Sequence, residues 1–151
     1  MDVPIYETAL RLIVAVAAGI AIGINRDLRN KPIGMRTLGL VALGAALVTV
    51  ATVEFRDLRD NPDAISRVVQ GAIQGIMAGI SFIGAGVILR DAKSRSVEGL
   101  TTAATVWVTA ALGVACGLGV WVPVVITIVL ALALLTVVGW LEHKLSMKED
   151  K

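Results

Sequence analysis

The chain has 151 residues, of which 56% are hydrophobic and 17% charged, with a formal net charge of +2 and a mean hydropathy of +0.81. A soluble domain carries about 25% charged residues, so this composition points to lipid as the solvent. One cysteine, Cys116, excludes an intrachain disulfide framework or a cysteine-rich zinc site; one histidine, His143, leaves little imidazole chemistry, and no basic tract interleaved with aromatics points to nucleic acid.

A helix needs about 20 apolar residues to cross a bilayer core. The opening Met1, Asp2, Val3 and Pro4 supply no positive n-region, and the first apolar stretch is longer than an h-region, so no cleaved signal peptide is expected. That first span covers residues 5–24. Glu7 and Arg11 lie one helical turn apart near its start, as an interfacial ion pair or, alternatively, a gate. Gly19 and Gly23 follow at the spacing that lets helix backbones approach. The next connector, residues 25–36, carries Arg26, Arg29, Lys31 and Arg36 against Asp27, and Pro32 and Gly34 punctuate it.

The second span covers residues 35–53. Residues 54–67 then carry Glu54, Asp57, Asp60 and Asp63 with Arg56, Arg59 and Arg67. The acids recur every third residue, which suits a solvated connector or, alternatively, a weak divalent-cation site. Asn61 and Pro62 read as an N-cap and a first helical residue, so helix three is expected to start ahead of its membrane span at 68–89. Gly71, Gly75 and Gly79 form two overlapping small-residue motifs there, with Gly84 and Gly86 beyond them. Gln70 and Gln74 share a face with Met77 and Ser81.

Residues 90–99 carry Arg90, Lys93 and Arg95 against Asp91 and Glu98, and Ser96 with Glu98 suits the start of helix four. Residues 100–141 contain no charge, too many for one crossing and about right for two. The break falls at Gly117, Leu118 and Gly119, giving spans at 100–116 and 120–141. Trp121 fits an interface anchor and Pro123 the first turn of the last helix. Thr102, Thr105 and Thr109 make a stripe on helix four.

Lysine and arginine in short loops mark the cytoplasmic side. That rule places 25–36, 90–99 and the tail with Lys144, Lys148 and Lys151 inside, and 54–67, 117–119 and the N-terminus outside. The expectation is an all-α fold: a polytopic membrane protein, a bundle of five transmembrane helices with its N-terminus outside and its C-terminus cytoplasmic. Residues 1–143 form the transmembrane domain and 144–151 a short charged tail. No sequence repeat is visible, and five spans do not divide into inverted halves, which speaks against a repeat-built transporter.

Two uses stand for the glycines at 19, 23, 71, 75, 79, 84 and 86: packing within the bundle, or a homodimer face on helix three. Gln70, Gln74, Ser81, Thr105 and Thr109 could bond across helices or to their own backbone, or line a polar path. The basic rim serves topology and lipid headgroups, or holds an anionic ligand or acidic partner. Phosphate-loop, dinucleotide, zinc-protease and esterase motifs are absent, no acid stands at mid-membrane, and no nucleophile–base pair is visible, so no enzyme is expected.

Three ordered motifs carry a resemblance. The first runs from Gly19 through Gly23 to Arg26 and Asp27, then Lys31, Gly34, Arg36 and Thr37. The second runs from Gly79 to Gly84 and Gly86, and the third from Gly99 through Thr101 and Thr102 to Trp107. Together they resemble the MgtC/SapB family across residues 5–141, with Asn25 in place of the family's usual acid and Ser81 in place of its glycine. Members of the MgtC type also carry a soluble C-terminal domain, and this sequence reads as a short form with the transmembrane domain alone. The resemblance implies a multi-pass protein of the bacterial inner membrane, tied to magnesium limitation and, in pathogens, to survival in macrophages. It implies a regulator of other membrane machinery, such as the proton-driven ATP synthase; the alternative is a transporter or channel for magnesium or another ion. The expected functional rim is Arg26, Asp27, Lys31, Arg36, Thr37, Arg90, Thr101 and Thr102. The expected partners are the lipid bilayer, a second copy of the chain and a membrane protein, with no nucleic acid. No cofactor is evident, Mg2+ is the ion to test, and metal ligands are unknown.

Overall fold

The computed structural model describes residues 4–54, 62–90, 97–140 and 144. Five helices in it are long and apolar enough to cross a membrane. They are α1 (Ile5–Leu28), α2 (Met35–Val53), α3 (Pro62–Val87), α4 (Leu100–Leu118) and α5 (Trp121–Ala133), the last continued by a π-helical turn at Leu134–Val138. In lipid each backbone donor and acceptor must be satisfied within its own segment, which is why these apolar runs are helical.

The bundle forms around α4, which touches all four other helices. Its core with α1 and α2 mixes small and larger side chains: Ala15, Ala18, Ala42, Ala45, Ala46 and Ala110 are buried beside Ile22, Leu38, Val106 and Leu112. Glycines complete the fit. A Cβ added at Gly113 would lie 2.8 Å from the Ala45 Cβ, and one at Gly19 would lie 2.8 Å from the Leu38 carbonyl carbon. Gly117 is equally close to Thr49, with 2.7 Å to its Cβ. Lipid tails are as apolar as leucine, so close backbone approach and dispersion, rather than burial of large side chains, hold such helices together.

The sequence places the third span's end at Leu89, but the helix stops at Val87. Leu89 and Arg90 instead form β1, paired antiparallel with Val97 and Glu98 of β2. Helix four accordingly starts at Leu100, not at Ser96 or Glu98. Glu98 belongs to the ladder, and Gly99, at φ 87°, turns the chain from it into the helix. That conformation is readily open to glycine alone. Ser96 lies outside the described residues, as do Asn61, Asp57 and Asp60.

Helix three divides the glycines into two groups. Gly19, Gly23 and Gly84 do pack within the bundle, Gly84 with 3.6 Å from an added Cβ to the Ala103 Cβ. Gly71, Gly75, Gly79 and Gly86 do not: a Cβ at any of them would meet nothing within 4 Å. The reason is the phase of α3. It docks through Ile73, Ile76, Met77, Ile80 and Gly84, a stripe at helical spacing. That turns the other glycines away.

Replacing Gly113 and Gly44 by alanine separates contact from helix propensity, because nothing lies within 4 Å of a Cβ at Gly44. Gly113→Ala should lose about 1–3 kcal/mol of stability through overpacking. Gly44→Ala should be neutral or gain up to about 1 kcal/mol. Denaturant unfolding in detergent micelles checks both, and equal behaviour of the two would remove the close-approach account.

Candidate functional site

Half of the rim residues, Arg26, Asp27, Thr101 and Thr102, sit where α1 ends and α4 begins. Arg26, in the last turn of α1, is only 3% exposed. It reaches across to α4, where its Nη2 donates to the Thr102 hydroxyl. Thr102 is buried as well. The Nε of Arg26 is enclosed without a partner, as is the Asn25 Oδ1. Its Nη1 has no hydrogen bond among the described residues, and no carboxylate there pairs with the guanidinium. A buried cation left so is costly. The carbonyl end of the α1 dipole offsets part of that cost.

Asp27 has a structural task. Its Oδ2 accepts from the Met35 backbone N–H at 3.0 Å, capping the first turn of α2 from across the connector. A Cβ at Gly34 would collide with that carboxylate, lying 2.7 Å from Oδ2, so the glycine keeps the cap seated. Arg29 Nη2 donates to the Thr136 carbonyl at 3.2 Å, inside the π-helical turn of the last helix. Such turns misalign backbone carbonyls and are frequent at functional sites. Lys31, Arg36, Thr37 and Thr101 are exposed, and their side chains make no hydrogen bond among the described residues. The side chain of Arg90 lies outside the described residues; its backbone stands in β1.

Below Arg26, toward mid-membrane, an open cavity of about 300 Å³ separates α1, α4 and α5. Ile22, Thr101, Thr105, Leu130, Ala131 and Leu134 are among its walls, which are almost wholly apolar.

The residues of the suggested polar path do not converge. Gln70 and Gln74 are exposed on α3, where with Ile65, Ser66, Val69 and Ile73 they border a shallow groove. Ser81 is exposed and donates to the Met77 carbonyl at 2.8 Å. Thr105 and Thr109 are buried on α4 and donate to the carbonyls of Thr101 and Thr105, at 2.7 and 2.8 Å. These two threonines therefore bond their own backbone, and of the stripe Thr102 alone takes its partner, Arg26, from another helix among the described residues.

Glu7 and Arg11 do pair, at 2.5 Å, at the opposite end of the bundle. Sequence reasoning missed what else is there. Arg11 Nη1 donates to the Gly117 carbonyl at 2.8 Å, and the Thr8 hydroxyl to Glu54 Oε1 at 2.5 Å. These bonds tie the start of α1 to the ends of α4 and α2. The spacing of Thr8 and Glu54 carries no signal of this, since only the antiparallel packing of α1 and α2 brings them together.

The chain matches the MgtC family over residues 12–144. It is 41% identical to the protein SrpB of Synechococcus elongatus over 119 residues, covering 75% of this chain and 64% of that protein. It is 41% identical to the protein MgtC of Salmonella typhimurium over 114 residues, covering 76% of this chain and 45% of MgtC. An uncharacterized protein of Haemophilus influenzae is 29% identical over 153 residues, 93% of this chain and 61% of that one. The chain thus spans less than two thirds of the length of each of these relatives. No solved structure matches it.

Thr102→Val keeps the shape of the side chain and removes the acceptor for Arg26. It should cost about 1.5–3 kcal/mol, the worth of a hydrogen bond to a charged group, while Thr102→Ser should stay near the parent. Unfolding in micelles reads the difference. If the valine variant matches the serine one, the bond contributes nothing.

Proposed function

The chain belongs to the MgtC family, and on that footing we propose that it is a multi-pass regulator in the bacterial inner membrane that acts by helix–helix contact rather than catalysis. Its setting is adaptation to low magnesium, as the family resemblance implies. Arg26, Arg29, Lys31 and Arg36 cluster at one end of the bundle, and the bias of basic residues toward the cytoplasm assigns that end to the inside. The N-terminus then lies outside and the C-terminus in the cytoplasm.

One observation carries this reading: α3 presents Gly71, Gly75 and Gly79 to open space, along with an 84% exposed Phe82. Small residues in register on a membrane helix let a second backbone come within contact distance. In this chain they meet no helix of their own bundle, so they are available to a second copy or to another membrane protein. Transport of Mg2+ is the competing reading, and it has less support. Gln70 and Gln74 face outward on α3, and Thr105 and Thr109 spend their hydroxyls on α4, so these residues do not line one route.

A Gly75→Leu chain should insert and unfold like the parent. It should nonetheless lose rescue of growth at limiting magnesium in a bacterium deleted for its own family member, down to the level of an empty vector. Full rescue by both Gly75→Leu and Gly79→Leu would end the contact reading. In parallel, sealed liposomes holding a magnesium-sensitive dye should show no Mg2+ entry above protein-free ones. Entry that an Arg36→Ala chain loses would establish transport instead.

A further inference from the structure

We propose that the cavity between α1, α4 and α5 is a binding site for one anionic phospholipid, its phosphate held by Arg26 and Arg29 and an acyl chain lying in the cavity. The argument begins with an imbalance of charge. Arg26 is 3% exposed, and its side chain makes one hydrogen bond among the described residues, to a neutral hydroxyl. The side chain of Arg29, one turn on, donates among the described residues only to a backbone carbonyl. The acid between them, Asp27, is held by the Met35 N–H. Two guanidiniums therefore stand together with no carboxylate paired to either among the described residues. Buried charges are ordinarily paired, and guanidinium is suited to phosphate, which it can grip with two parallel N–H donors.

The position of the cavity selects the kind of anion. Ile22, in its wall, lies one helical turn before Arg26 on the same face. Thr101, also in the wall, is next to the residue that Arg26 bonds. Leu134 and Leu135 lie just before Thr136, the residue that Arg29 bonds. Both arginines thus bridge from α1 to the helices that frame the cavity, at the same end of it. From that end an apolar slot of about 300 Å³ runs along α4 past Thr105 to Val108 and along α5 back to Thr127. That volume reaches the lower end of the range for small-molecule sites. A free inorganic anion would fill the charged end and leave the slot empty. A lipid fills both: it carries negative charge at headgroup depth and hydrocarbon below it. α5 adds a route of entry, since Val124 is the one residue of Trp121–Ala133 that is fully buried and most of the others are exposed, so the slot is walled by a helix that turns most of its surface to lipid. Two arginines favour a headgroup with net negative charge over a zwitterionic one.

This inference does not depend on whether the protein regulates or transports. The test is thermal unfolding of the full chain in neutral detergent micelles, titrated with phosphatidylglycerol, phosphatidylcholine or inorganic phosphate. Phosphatidylglycerol near saturation should raise the midpoint by roughly 5 °C, as expected for a ligand bound only by the folded state. Phosphatidylcholine and inorganic phosphate should each do markedly less. Arg26→Gln should abolish the excess of phosphatidylglycerol over phosphatidylcholine. Should that variant fail to fold, Ala131→Phe fills the slot with both arginines intact and should abolish the same excess. Equal shifts with the two lipids would overturn the proposal, as would an excess that survives either substitution. A shift with inorganic phosphate as large as that with phosphatidylglycerol would assign the arginines to a free anion and overturn the lipid site.

Discussion

Gly113 of α4 lies against the Ala42 carbonyl of α2, and no side chain fits between them. Gly19 stands in the same relation to Leu38, Gly23 to Met35 and Gly117 to Ala46 and Thr49. In water such contacts would be a minor part of a core dominated by large apolar side chains. In a bilayer the balance reverses, because a leucine gains little by leaving lipid for protein. Contact between backbones is then the main source of attraction left, and it requires glycine and alanine. The wedge of α1, α2 and α4 follows from this constraint, and the polar bonds at its two ends follow from the wedge. Arg11 can reach Gly117, Thr8 can reach Glu54 and Arg26 can reach Thr102 only because these three helices are so close.

Arg26 shows how the constraint turns a topological marker into something with chemical content. A basic residue at the end of a membrane helix normally extends its head to the interface and stays wet. Here α4 is close enough to enclose the side chain, and Nε loses water without gaining a partner. The α1 dipole and the Thr102 hydroxyl recover part of the cost. A guanidinium retained under these conditions is poor material for stability alone, since an apolar side chain of similar volume would serve the packing at least as well.

The five crossings were legible because hydropathy and length suffice for them. So was the ion pair of Glu7 and Arg11, a consequence of helical spacing alone. What was not legible depends on the rotation of each helix about its axis. Gly19 and Gly75 carry the same local signal, yet one touches a neighbouring backbone and the other touches nothing. A small-residue motif states that a close approach can occur, and says nothing of which helix makes it. The threonines of α4 fall between: the stripe is periodic, but Thr105 and Thr109 donate one turn back on their own helix while Thr102 accepts from Arg26 of another, a division the spacing does not show. The β1–β2 hairpin replaced a helix end and a helix start because a charged, polar segment after Val87 has no apolar periodicity to betray a two-residue ladder. The π-helical turn had no visible cause either, since Leu134–Val138 reads as ordinary apolar helix. Of the rim, sequence located Arg26 and Thr102 correctly at one end but could not show that they bond. Nor could it show that the Asp27 carboxylate caps α2 across the connector.

The two helices outside the wedge are attached in different ways. α3 uses an apolar stripe closed by Gly84 on Ala103, and its opposite face is left smooth by glycine. α5 buries Val124 near its start, and near its other end Arg29 fixes it through the Thr136 carbonyl. Between those two points the small side chains of Ala104 and Ala131 leave the walls of the cavity apart. A bundle selected only for stability would gain dispersion contacts by narrowing that gap with one or two larger residues. The gap instead coincides with the end of the molecule where the arginines lack counter-charge and where the sequence motifs of the first and fourth helices meet. Incomplete packing and incomplete charge pairing at one place have a common solution in a molecule that is both anionic and apolar, the chemistry of an anionic membrane lipid.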